Sequence, residues 1–145
     1  MIQLLIFLCL TSSARADDAP QLVGRWQFYK KVFQGQEMPE PPSATLHLFF
    51  EFSPAGESSL TWWHDDGGDH CARKGKYVVA NGELHDEIVW VDPKNTPDCA
   101  DDMDMQLGRK TSTPIYFRGS DLAIRFQLDG EPLDMVWKKV NTEGK

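Results

Sequence analysis

No window of this chain repeats apolar residues at helical spacing for a useful length, so a helical bundle has nothing to be built from. Outside residues 2–10 there is no long apolar run, and that one falls short of the ~20 residues needed to cross a bilayer. Cysteine is scarce, at three in 145 residues, with no CxxC pair, zinc-finger spacing or Cys-His-Asn set. Thiol catalysis and structural zinc therefore lack a framework. No Gly-x-Ser-x-Gly elbow is present to raise a nucleophile. The Gly67-Gly68 pair sits among acids that would repel a phosphate rather than cradle it. His47, His64, His70 and His85 have no partnered nucleophile, and His47 and His85 alternate with residues of an outward face. Basic residues are outnumbered 15 to 22, for a net charge of −7. Nucleic acid and anionic membrane surfaces, which need a basic footprint, are excluded as main partners. The absences point away from an enzyme, leave no catalytic residue to name and imply no cofactor.

What is there begins with a leader. Residues Ile2 to Leu10 are mostly apolar, and Ala14-Arg15-Ala16 places small residues where a signal peptidase cuts. Residues 1–16 are read as a cleaved signal peptide and 17–145 as one domain, secreted or periplasmic. Cleavage removes Arg15 and no acid, leaving 14 basic and 22 acidic residues and a charge of −8. It also removes Cys9, so Cys71 and Cys99 remain as an even pair, which in an exported chain reads as a disulfide.

The mature segment alternates apolar and polar residues at strand spacing. Strands are expected over residues 22–33, 44–53, 58–64, 75–80, 83–92, 103–107, 114–118, 122–128 and 133–140. The proline-bearing stretch Gly35 to Ser43 is expected to be a loop, placed to act as a lid. Asn81-Gly82 and Asp129-Gly130 are hairpin turns, since a type I′ turn needs positive φ at both positions. In the first strand Leu22, Trp26, Phe28 and Val32 share a face. About eight or nine short strands joined by such turns predict an all-β, antiparallel sandwich or closed barrel.

Along these strands Phe28, Leu48, Phe50, Trp62, Val78, Ile88, Trp90, Met105, Phe126 and Leu128 form the expected inward set. They either fill a solid core, leaving a structural or protein-interaction module that works through its rims, or line a pocket. The run His64-Asp65-Asp66-Gly67-Gly68-Asp69-His70-Cys71 carries metal-binding side chains. A Cys71–Cys99 bridge would bring it near Asp98, Asp101, Asp102 and Asp104. Its spacing matches no established metal motif, so it is read as a solvated acidic rim and no metal is assigned.

The first strand opens with Gly24-Arg25-Trp26: a glycine where the backbone passes close, then the largest apolar anchor available. The last strand carries Trp137-Lys138-Lys139. With the order of turns between them, this arrangement resembles the bacterial lipocalin-like (calycin-type) domains. The resemblance implies an up-and-down β-barrel with Gly24 and Trp26 at its closed end. A basic residue would pack across the Trp26 ring, supplied by Lys138, Lys139 or Arg125. It also implies a carrier of a small apolar or amphipathic ligand, with Phe28, Phe50, Trp62, Val78, Trp90, Met105 and Phe126 as the expected lining.

Overall fold

Apolar residues at every second position give this chain strands with one wet and one dry face, and the strands satisfy each other's backbones by curling into a ring. The computed structural model describes residues 18–38 and 44–141; the leader at 1–16 lies outside them. A short helix α1 (Asp18–Leu22) precedes β1 (Gly24–Phe33), β2 (Gln36–Met38), β3 (Leu46–Phe52), β4 (Glu57–His64) and β5 (His70–Ala80). Then come β6 (Glu83–Val91), β7 (Lys110–Arg118), β8 (Asp121–Leu128) and β9 (Glu131–Val140). Neighbours pair antiparallel in sequence order from β3 to β9, and β1 pairs with both β3 and β9 to close the barrel. Among the described residues no helix is long and apolar enough to cross a membrane.

The closed end is organised by Trp26, which is 1% exposed. Its indole N–H donates to the carbonyl of Leu22 at 2.7 Å, locking α1 under the barrel. Lys139 lies over the indole with Nζ 5.2 Å from the ring centroid, and donates to the carbonyl of Gln21. The other two candidate cations are elsewhere: Lys138 covers Tyr29 and Arg125 covers Tyr116, both on the outer face. Gly24 has φ of 133°, and a Cβ there would come within 2.6 Å of the Lys139 side chain. Backbone freedom and a close approach thus coincide at that position.

Several sequence expectations are corrected. Residues 103–107 are not a strand. Asp102 accepts the backbone N–H of Asp104 at 2.8 Å and starts a 3₁₀ turn, Met103–Met105, that buries Met105 and leaves Met103 and Leu107 exposed. β5 begins at His70, not Gly75, because Gly75 is an interior strand residue rather than a turn. The stretch after Gly35 is not all loop, because Gln34 and Gly35 (φ 50° and 76°) form a hairpin turn into β2. Residues 39–43 of the expected lid lie outside the described set.

Val78 is 62% exposed, since the inward residues of β5 are Arg73, Gly75, Tyr77 and Val79. Trp90 also turns outward. Lys74 pairs with Trp90 and Gly75 with Ile88, so Val89 is an extra residue that reverses the parity of the strand beyond it. An extra residue at Tyr29 does the same in β1 and puts Val32 beside Asp134 on the outer face. Leu128 runs past the barrel rim and is exposed. On that outer face Asp134 is buried under Arg125, Arg118 and Tyr116, whose hydroxyl donates to it. Burial pushes its carboxyl up, but hydrogen bonds from Arg125 and Tyr116 outweigh this and hold it below the ordinary value.

Candidate functional site

At the end opposite α1 the barrel is not filled. A cavity of about 620 Å³ opens there, within the range of small-molecule sites. Its apolar wall comes from Leu46, Leu48 and Phe50 of β3, Leu60 and Trp62 of β4, Leu84 of β6, Ile124 and Phe126 of β8, and Met135 and Trp137 of β9. Alternation along each strand places these side chains inward.

Of the residues expected to line a pocket, Phe50, Trp62 and Phe126 border this cavity, Phe126 at its rim and more than a third exposed. Phe28 and Met105 are buried but belong to the packed core, Phe28 edge-on to Trp137 at 5.7 Å. Val78 and Trp90 are on the outer surface; the Trp90 ring is covered by the Lys74 ammonium at 5.2 Å. Gly24 and Trp26 belong to the closed end.

One side of the mouth is built by residues 92–109. Asn95 makes two hydrogen bonds with the backbone of Ala72, at 2.8 and 3.0 Å, and Thr96 bonds with the backbone of His70. The Cys71–Cys99 disulfide, Cα atoms 5.7 Å apart, fastens the same segment to β5. Closing 28 residues this way is worth on the order of 3–4 kcal/mol in the chain-entropy model. So held, the segment brings Asp102 to Trp62, whose indole N–H donates to it at 3.3 Å, and adds Asp104 and Arg109 to the wall.

Sequence reasoning missed the charged wall. Arg73 and Asp86 form an ion pair at 2.6 Å with side chains only 5% and 4% exposed. Ser58 donates to Asp86 at 2.6 Å. Gly75 makes the arrangement possible: a Cβ there would lie 2.5 Å from the Ser58 hydroxyl and 2.7 Å from the Asp86 carboxylate. The signal was in the pattern, since Asp86 stands between Leu84 and Ile88 on an inward face. An inward charge of that kind is costly unless paired.

Asp104 is perturbed. Burial, reinforced by neighbouring Asp102, raises its carboxyl above the ordinary value, while Arg109 and Arg73 pull the other way. A carboxyl shifted up on folding contributes stability that is fully present below its unfolded pKa of about 3.9 and lost as pH rises through the folded value. Asp104→Asn should therefore raise the Tm by a few degrees at neutral pH, with the gain shrinking as the medium is acidified towards pH ~4. Thermal melts across pH check this; a gain that does not depend on pH would contradict it.

The His64–His70 loop makes its own contacts. His47 bonds Asp65 at 2.7 Å, the His64 ring meets the Thr45 hydroxyl at 3.1 Å, and Asp66 accepts the backbone N–H of Gly68. Among the described residues no three His, Cys, Asp or Glu side chains are grouped as a metal ion would require.

Among solved structures the chain is similar to a lipocalin-like protein from Bacteroides uniformis ATCC 8492. The two share 19% identity over 83% of this chain and 99% of that one, with a TM-score of 0.53. At that identity the likeness concerns the fold, which is lipocalin-like. No protein-family model matches the chain, and no curated protein does.

Proposed function

We propose that this chain is an exported binding protein for a small apolar or amphipathic ligand, held in the open half of a lipocalin-like barrel, and that it acts by binding rather than catalysis. One observation carries the reading. A cavity of about 620 Å³ occupies the end of the barrel away from Trp26, walled by leucines, aromatics, Ile124 and Met135 and, alongside them, by polar and charged side chains that include Arg73, Asp86, Asp102, Asp104 and Thr111. An apolar wall with polar groups held at set places is what a ligand pocket offers. A barrel with its core filled solid, acting only through its rims, would have no such space. The apolar leader at residues 2–10 and the Cys71–Cys99 pair support export, since disulfides persist in oxidising compartments.

Trp62 and Trp137 border the cavity, so ligand binding should quench tryptophan emission. Titration of the purified protein with fatty acids, retinoid-like molecules and aromatic probes should give a saturable quench with at least one class. Emission unchanged by every probe, together with no bound mass in native mass spectrometry, would end the ligand-binding reading.

A further inference from the structure

Two buried donors in the cavity wall have no acceptor: Nε of Arg73 and Nε1 of Trp137. Both belong to side chains at least nine-tenths buried, and they flank one aromatic ring. The guanidinium carbon of Arg73 lies 5.2 Å from the Phe50 centroid, and the Trp137 ring lies 5.9 Å from it. Phe50 pairs with Trp26 across β1 and β3, so this is the inner end of the cavity, whereas Leu46 pairs with His64 at the mouth. An unpaired buried donor forfeits hydrogen-bond energy on folding, which an incoming acceptor can recover.

The charges around the cavity decide which acceptor fits. Two arginines, Arg73 and Arg109, face three aspartates, Asp86, Asp102 and Asp104. Asp86 takes up the charge of Arg73, and Arg109 acts electrostatically on Asp104, so each cation of the wall already has a carboxylate to answer it. A cation is not favoured either. Asp86 is held by Arg73, Asp102 already accepts from Trp62 and from the backbone of Asp104, and Arg109 acts on Asp104, so the carboxylates are already engaged.

Building on the ligand-binding reading, we infer that the cavity takes an apolar molecule ending in an uncharged carbonyl, as in a ketone, ester or amide. The molecule sits with its oxygen at the Phe50 end and its apolar body against Leu46, Leu48 and Phe126. Both N–H groups are covered in the unliganded barrel, so the hydrogen bond requires at least one of the two side chains to turn towards the ligand oxygen.

The test is calorimetric titration with methyl octyl ketone, decanoate and decylamine, which share a chain length and differ in head group, and with octylbenzene as an apolar control. The ketone should bind about tenfold more tightly than the acid or the amine, a difference of about 1.4 kcal/mol. Trp137→Phe keeps the ring and removes the donor; it should weaken the ketone by about five- to tenfold, the range of one neutral hydrogen bond, and leave octylbenzene unchanged. Arg73→Lys, which keeps the charge beside Asp86 and removes Nε, should do likewise. The indole N–H resonance of Trp137 should move downfield with the ketone and not with octylbenzene, a readout that stands even if Arg73→Lys fails to fold. Equal affinity for all three heads, preference for the acid or amine, or a Trp137→Phe protein that binds the ketone like wild type would overturn this inference while leaving ligand binding intact. No binding of any of the four probes would overturn ligand binding itself, and this inference with it.

Discussion

Trp26→Ala should lower the unfolding free energy by about 3–5 kcal/mol, the range for deleting a large aromatic from a packed core. The indole is 1% exposed, donates to the carbonyl of Leu22, packs against Phe117 with centroids 6.0 Å apart and carries the Lys139 side chain on its ring. Removing it opens a void and frees α1 from the base of the barrel together. Trp63 is the control. It lies on the outer face of β4, stacked between His47 at 5.1 Å and Phe49 at 5.4 Å, and is only half-buried. Trp63→Ala should cost about 1–2 kcal/mol, the value of two exposed aromatic contacts. Urea denaturation midpoints of the two variants decide the matter, and equal losses would mean that the inside and outside of β4 are assigned wrongly.

Asp86→Ala should be as damaging, at about 3–5 kcal/mol, because it leaves Arg73 charged and unpaired in a nearly dry wall. Deleting both charges removes the problem instead of exposing it. The double variant Arg73→Met with Asp86→Leu should therefore recover most of the loss, since a well-packed apolar pair replaces a buried ion pair at little cost. Denaturant unfolding of Arg73→Met, Asp86→Leu and the double variant measures the coupling, with Asp86→Ala beside them. A double variant no more stable than Asp86→Ala alone would show that the pair is not the reason for the loss.

Much of the barrel was legible from local rules. Asn81-Gly82 and Asp129-Gly130 turn as their residues require, with positive φ at all four positions, and the alternation of β3, β4 and β8 runs true. Two of the failures share a physical origin, that period-two patterning cannot see a bulge. Trp90 sits two residues beyond Ile88 and reads as inward until Val89 takes up an extra place in the ladder. Tyr29 does the same for Val32. Val78 misled for another reason: Tyr77, Val78 and Val79 are all apolar, so the pattern there does not say which face is dry, and the buried partners of Tyr77 decide it.

The candidate site was half visible for a related reason. Its apolar members follow from alternation, but its polar members lie far apart in sequence, with Ser58, Arg73, Asp86 and Arg109 on different strands or loops. Gly75 was read as a strand start, although its absent side chain is what lets Ser58 and Asp86 meet. The Cys71–Cys99 pairing was legible from the cysteine count. That it positions Asp102 and Asp104 at the mouth depends on how residues 92–109 fold back on β5.

Two bulky substitutions on opposite faces of the wall test whether the open half of the barrel holds a ligand. Thr111 borders the cavity, whereas Val78 faces outward on β5. The tightest-binding probe is titrated calorimetrically into wild type, Thr111→Trp and Val78→Trp, each shown by its melt to be folded. Wild type and Val78→Trp should bind alike, and Thr111→Trp should bind at least about tenfold more weakly, because an indole fills the space the ligand needs. Undiminished binding by folded Thr111→Trp, or loss through Val78→Trp alone, would contradict an internal ligand site and place the site outside the barrel.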